Sequence, residues 1–165
     1  MLSVEEVIQF LTERKLRLST AESCTAGMIT SLLVDVPGCA AIMETCYVVY
    51  TEHAKHLALD VNLQTIKAFG LTSEEVAREM ALGALEHSSA DVSMGVTGTA
   101  ESNDDLNGVI CFAYAARING SIRVLSETVT FPGERNAVRQ AAAYHAISSL
   151  PSFYESLVNG KSDHG

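Results

Sequence analysis

Apolar positions recur along this chain with two alternating periods, and the places where the period changes mark its elements. Ser3-Val4-Glu5-Glu6 has the S-x-x-E spacing of a capping box and opens a short helix with Val7, Ile8 and Leu11 on its inner face. Residues 16–20 (LRLST) alternate apolar and polar, the signature of a strand. After Ala21-Glu22-Ser23 the period becomes helical: Met28, Ile29, Leu32, Leu33 and Val36 share one stripe, which Pro37-Gly38 ends. Ser23 is therefore expected where a strand enters a helix. The β-formers of residues 46–51 (CYVVYT) predict a second strand, and a polar helical turn follows through His53 and Lys55. Thr72-Ser73-Glu74-Glu75 is a second capping box, before a helix through Val76, Met80 and Leu85.

Residues 92–96 (VSMGV) predict a buried strand that runs into Thr97-Gly98, followed by a polar loop over 99–107. Residues 109–118 and 121–131 flank Asn119-Gly120, the strongest short-range hairpin signal. Pro132-Gly133 then turns the chain into a last helix over about 136–150. Helices between strands, with one hairpin, predict an α/β fold. It is a three-layer α/β/α sandwich whose mixed, mostly parallel sheet contains one antiparallel hairpin. One domain over 1–158 is expected, with a polar, frayed tail over 159–165.

Composition narrows the partners. The chain has 165 residues, 47% of them hydrophobic, with no Trp, so the core is aliphatic. Eleven basic residues are scattered among twenty acids for a net charge of −9, which argues against nucleic acid. Acids inside the first apolar stretch argue against a signal peptide, and no apolar run reaches membrane-spanning length. A cytoplasmic protein without a membrane partner is expected, with Cys24, Cys39, Cys46 and Cys111 as reduced thiols. There is no P-loop, no GxGxxG and no GxSxG. His53-x-x-His56 lacks a third ligand, so no metal is expected, and nothing calls for a cofactor.

The first segment with chemical content is Ala21-Glu22-Ser23-Cys24-Thr25-Ala26-Gly27. A serine at a strand-to-helix junction faces the helix's unpaired N–H groups, which can hold an oxyanion as the hydroxyl attacks a carbonyl. From the segment alone, a bland alternative is favoured: Ser23 or Thr25 simply N-caps the helix.

The same segment resembles the AESCTGG motif of the CinA C-terminal family, whose members are nicotinamide mononucleotide deamidase-like. The likeness continues in order from about residue 4 to 150. Val36-Pro37-Gly38 matches the family's turn after the first motif helix, and Tyr50-Thr51-Glu52-His53-Ala54-Lys55 resembles its Y-s-n-x-x-K segment. Gly70 and the run from Ser73 through Ala81 resemble G-x-x-S-E-E-V-A-x-x-M-A. Val96-Thr97-Gly98-Thr99-Ala100 resembles V-T-G-I-A, and Gly133-Glu134-Arg135 resembles G-D-R.

The resemblance implies hydrolysis of the nicotinamide mononucleotide carboxamide to the nicotinate nucleotide and ammonia, in a homo-oligomer acting on a pyridine nucleotide. Carried over by position, Ser23 is the nucleophile, Lys55 its general base and Tyr50 a supporting hydroxyl. Thr25, Gly27, Thr97, Gly98, Arg135 and Arg139 would line the substrate site, the two arginines as a phosphate clamp or else as a solvated face. A lysine acts as a base when burial or a cationic neighbour lowers its pKa.

The departures from the family pattern cluster near these residues. Ala26 replaces the motif's first glycine, Thr45 and Cys46 stand for two further glycines, and Glu52 stands for an asparagine. Glu101-Ser102-Asn103-Asp104-Asp105 replaces a G-P segment and the glycines after it, and Leu106-Asn107-Gly108 replaces P-V-G. Lost glycines restrict the backbone, and the added carboxylates repel a phosphorylated substrate. Three readings follow: a nicotinamide-nucleotide amidohydrolase, a divergent member with altered or no activity, and an oligomerisation module. Ser23 and Lys55 favour chemistry, while Glu101, Asp104 and Asp105 favour divergence.

Overall fold

The computed structural model describes residues 1–160. The first elements are α1 (Val4–Glu13), β1 (Leu18–Glu22), α2 (Met28–Val34) and β2 (Met43–Val48). Then come α3 (Glu52–Leu59), α4 (Leu63–Phe69), α5 (Glu74–Glu86) and β3 (Val92–Thr99). The hairpin β4 (Val109–Ile118) and β5 (Ser121–Thr130) leads to α6 (Arg135–Val158). The expected tail lies outside the described residues from Lys161 onward; Asn159 and Gly160 form the turn that closes α6.

The strands form one mixed sheet in the order β2-β1-β3-β4-β5. β1 pairs in parallel with both β2 and β3, and β4 is antiparallel to β3 and β5, so four strands point one way and β4 alone opposes them. The hairpin closes on the pair Ile118–Ser121, with Asn119 at φ 50° and Gly120 at φ 80°, the positive dihedrals that a tight two-residue turn needs.

Side-chain alternation divides the core between two faces. Met94, Val96, Phe112 and Tyr114 pack against Leu11 of α1, Ile29 and Leu33 of α2, and Ala142, Ala146 and Ile147 of α6. On the other face, Ala21 meets Leu59 of α3, Ile66 of α4 and Val76 and Met80 of α5, while Ala113 and Ala115 meet Ala77 and Ala81 of α5. These faces are the outer layers of the three-layer sandwich. Gly95 lets α5 approach the sheet, since a Cβ there would lie 2.5 Å from the Ala77 carbonyl oxygen.

Local signals hold where side-chain chemistry repeats them. Ser3 and Glu6 form the reciprocal capping box of α1. At α5 the N-cap is Ser73, whose hydroxyl accepts from the Val76 N–H, so no glutamate stands at the third helical position to complete a box. α6 continues through Pro151 for two further turns. Leu150, Pro151 and Leu157 are buried, and Phe153 stacks on Tyr114 with ring centroids 4.4 Å apart. That burial outweighs the backbone hydrogen bond a proline cannot donate.

The topology sets a switch point between β1 and β2. β1 is followed by α2 on one face of the sheet, whereas β2 is followed by α3 on the other. Connections that leave adjacent parallel strands for opposite faces part at the strands' C-terminal ends, where α/β sheets bind ligands. Ser23 follows β1 there, and Tyr50 lies between β2 and α3.

Candidate active site

Ser23 is held in line by both neighbouring strands. Its N–H donates to the Val96 carbonyl at 3.1 Å, and the preceding Glu22 carbonyl accepts from the Val49 N–H at 2.9 Å. β3 runs past this level through Thr97, Gly98 and Thr99, so it forms one wall beside Ser23.

Lys55 enters from α3 and is 1% exposed. Thr51 starts that helix by accepting from the Ala54 N–H, which sets Lys55 one turn in and facing the sheet. Its Nζ lies 2.9 Å from Ser23 Oγ, 2.9 Å from the Val49 carbonyl and 3.1 Å from the Tyr50 carbonyl. The carbonyls can only accept, so they fix two N–H bonds of the amine. The remaining direction faces Ser23. A neutral amine places its lone pair there and takes the hydroxyl proton, whereas an ammonium donates. Burial lowers the Lys55 pKa from the ordinary 10.5, opposed by the neighbouring Cys24 and Glu52 groups.

Cys24, the next residue, is a protonated thiol near neutral pH. Burial pushes its thiol up to about 11 against the helping effect of adjacent N–H groups, Arg139 and Lys55, so it is a thiol near neutral pH.

The N-terminus of α2 differs from the expected arrangement. Neither Ser23 nor Thr25 caps it, because the N-cap is Gly27 and the donors of its first turn serve the fully buried Glu22. Glu22 Oε1 accepts from Thr25 Oγ1, Gly27 N and Ile29 N, and Oε2 accepts from Thr30 N and Oγ1. These N–H groups therefore do not face the Ser23 hydroxyl. Glu22 is a site-building residue that pattern reading passed over. The available signal was an acid just ahead of a helix start, where the helix dipole favours an anion.

The other expected site residues separate into three groups. Thr25 and Gly27 support Glu22, and Gly27 adopts φ 94°. Thr97 is buried and donates to the Leu71 carbonyl at 3.0 Å. Gly98 serves close strand packing, since a Cβ there would lie 2.6 Å from the Val109 carbonyl oxygen. Tyr50 does not aim its hydroxyl at the Ser23–Lys55 pair. Its ring is 58% exposed, its backbone carbonyl binds Lys55, and its hydroxyl accepts from Arg135 Nη2 at 3.4 Å. Arg135 and Arg139 do not act as a pair. Arg135 is exposed beside Tyr50, while Arg139 Nε donates to the Cys24 carbonyl at 2.8 Å and Nη2 to the Thr25 carbonyl at 3.3 Å. Arg139 thus holds the turn after Ser23 and is no solvated residue.

The loop after β3 is tied to itself. Asp104 accepts from Ser102 Oγ at 2.6 Å and from the Leu106 N–H at 3.0 Å, and these bonds hold its carboxyl below the usual carboxylate range. A groove of about 300 Å³ between α2 and α6, lined by Met28, Leu32 and Tyr144 among others, contains neither Ser23 nor Lys55. Among the described residues, no three His, Cys, Asp or Glu side chains are grouped to hold a metal ion, and no helix is long and apolar enough to cross a membrane.

The sequence of the chain matches a known family. The family model for the CinA C-terminal domain matches residues 2–154. The chain belongs to the CinA C-terminal domain family. A CinA-like protein of Chlorobium limicola is 36% identical across 93% of this chain and 37% of its own length. A nicotinamide-nucleotide amidohydrolase PncC of Enterobacter agglomerans is 37% identical across 82% of this chain and 84% of its own length. The chain thus spans little more than a third of the longer CinA-like relative but most of the shorter one. Among solved structures, a competence/damage inducible protein of Agrobacterium tumefaciens has a TM-score of 0.84 at 33% identity, covering 92% of this chain and 93% of that one. A CinA superfamily protein of Escherichia coli has a TM-score of 0.80 at 31% identity, covering 88% and 87%.

Proposed function

We propose that the chain is a metal-independent amidohydrolase of nicotinamide mononucleotide, with Ser23 as nucleophile and Lys55 as general base. The observation that carries this reading is the 2.9 Å contact between Lys55 Nζ and Ser23 Oγ, in an amine whose other directions are fixed by two carbonyls. Its burial lowers the pKa toward the range where a base works near neutral pH. The name of the PncC relative supports the choice of substrate.

In this mechanism Ser23 Oγ attacks the carboxamide carbon while its proton passes to neutral Lys55. The tetrahedral intermediate collapses, the C–N bond breaks and nitrogen takes the proton from Lys55, leaving as ammonia. Water then attacks the Ser23 ester, again giving one proton to Lys55; that proton returns to Ser23 Oγ as the C–O bond breaks, and the product acid releases its remaining proton to solvent as the carboxylate. Tyr50 and Arg135 lie at the mouth, where an exposed hydroxyl–guanidinium pair suits a phosphate better than the support of the Ser23–Lys55 pair expected of Tyr50. Thr25, Gly27, Thr97 and Gly98 act behind the site by fixing Glu22 and the β3 wall.

A second reading, hydrolysis of a different amide by the same pair, is favoured by Glu101 and Asp105 in the loop that follows β3. The deciding experiment incubates the full chain with nicotinamide mononucleotide in the presence of a chelator and measures ammonia and nicotinate mononucleotide. Equal release of both products is expected. No release from this substrate, with release from an uncharged nicotinamide analogue, would favour the second reading.

A further inference from the structure

The surroundings of Lys55 Nζ satisfy the amine in either protonation state. As an ammonium it has three N–H donors for three acceptors: Ser23 Oγ at 2.9 Å, the Val49 carbonyl at 2.9 Å and the Tyr50 carbonyl at 3.1 Å. As a neutral amine it keeps both carbonyls and turns its lone pair to the serine. The number of hydrogen bonds therefore does not choose between the two forms, and charge decides. Within the chain that choice is contested. Burial of a side chain only 1% exposed disfavours the ammonium, while Cys24 on the turn after β1 and Glu52 in the first turn of α3 favour it. The guanidiniums of α6 bond elsewhere: Arg139 to the Cys24 and Thr25 carbonyls and to Asn136, and Arg135 to the Tyr50 hydroxyl. An ammonium donates to Ser23 and cannot take its proton, so turnover needs a further push toward the free base.

We propose that the substrate's own cationic ring supplies that push, so that the site hydrolyses carboxamides of N-alkylated pyridinium rings in preference to neutral ones. This inference rests on the amidohydrolase reading and deepens it by naming the feature of the substrate that the base detects. Nicotinamide mononucleotide carries a positive ring nitrogen two ring bonds from the carbon that bears the carboxamide. Oγ lies 2.9 Å from Nζ, and the carboxamide carbon lies about 3 Å from Oγ at attack, which puts the positive charge about 6 Å from the amine. At an effective dielectric of about 20, a unit charge at this distance lowers the midpoint of the ammonium by about 2 pH units. The substrate phosphate, negative and farther off, returns part of that shift. On binding, one N–H bond of the ammonium breaks, its electron pair stays on nitrogen and the proton goes to solvent. The serine proton then moves to that lone pair as Oγ attacks. The same repulsion favours handing the proton on to the departing nitrogen, and ammonia leaves with it. A neutral carboxamide instead meets an ammonium that still donates to Ser23.

Two measurements test this. In full-length Ser23→Ala, which cannot form the acyl intermediate, calorimetry in buffers of different ionisation enthalpy counts the protons released on binding. Nicotinamide mononucleotide should release up to about one proton per site between the free and bound midpoints, and its affinity should rise with pH across that interval. Benzamide riboside phosphate has carbon in place of the ring nitrogen and keeps the ribose phosphate. It should release fewer protons by about that amount, and adding Lys55→Met should abolish the difference between the two ligands. Equal release by both ligands, or none by either, overturns the proposal and leaves the serine–lysine reading intact. The second measurement needs no variant. For ammonia release from nicotinamide mononucleotide by the wild-type chain, the pH midpoint of kcat should lie about 1 to 2 units below that of kcat/KM, because the first reports the bound enzyme and the second the free one. Coinciding midpoints in an active enzyme overturn the proposal. A wild-type chain that releases no ammonia from this substrate at any pH removes the amidohydrolase reading itself, and the proposal with it.

Discussion

At the residue scale, the protonation of Lys55 ties activity and stability to pH in a defined direction. Its folded pKa lies below the ordinary 10.5, so the unfolded chain binds more protons between the two values. The cost of burying the charge is therefore present in full below the folded pKa and disappears as pH rises toward 10.5. Unfolding free energy of the wild type should rise across that alkaline window relative to Lys55→Met, which lacks the group; denaturant titrations at several pH values measure the difference. A flat difference would mean that the amine is not desolvated. Over the same interval kcat/KM should rise to a plateau as the free base forms, with a midpoint below 10.5. Ala26 offers a separate test. It adopts φ 48°, in the left-handed region where a Cβ is strained, at the position where the family motif carries glycine. Ala26→Gly should stabilise the chain by about 1 kcal/mol, less whatever the freer unfolded glycine costs, raising Tm by about 3 °C. A fall in Tm would show that this turn is relaxed as it stands.

At the element scale, α2 is organised from inside the sheet by the Glu22 side chain. Glu22→Gln turns one acceptor oxygen into an NH2 facing N–H donors, so at least one backbone donor loses its partner. Each lost partner costs about 1–3 kcal/mol, and chemical denaturation should register a loss within or above that range. A loss under about 0.5 kcal/mol would mean that water or a shifted loop replaces the carboxylate. Elements whose signal was carried by local chemistry were legible in the sequence: Ser3 with Glu6 at α1, and Asn119-Gly120 at the hairpin. Elements decided by distant partners were not. Residues 46–51 read as a strand, but β2 is Met43–Val48, because beyond the bond from the Val49 N–H to Glu22 the Val49 and Tyr50 carbonyls turn to Lys55. α4 escaped notice because its seven residues bury only Ile66, too little to make a periodic stripe. The Ser23–Lys55 contact followed from the family resemblance and not from spacing, since 32 residues separate its members. Arg139 could not be assigned from sequence because its partners are backbone carbonyls more than a hundred positions away.

At the scale of the whole molecule, a net charge of −9 surrounds a site proposed to take a phosphorylated substrate, with Arg135 exposed at its mouth. Glu101 and Asp105 are the loop carboxylates to remove, because Asp104 is used to hold the loop together. Glu101→Gln with Asp105→Asn should tighten nicotinamide mononucleotide binding at low salt by no more than about tenfold, an effect that fades as ionic strength rises. Calorimetry at two salt concentrations reads both quantities, and equal affinity in variant and wild type would show that the loop carboxylates face away from the substrate. The proposed function requires amide hydrolysis by Ser23 at the switch point between β1 and β2. The most direct measurement is kcat/KM for ammonia release from nicotinamide mononucleotide by the full wild-type chain and by Ser23→Ala, with circular dichroism matched between them. A measurable wild-type rate that falls by about 1,000-fold or more in Ser23→Ala is expected. Equal ammonia release from the two proteins would contradict it.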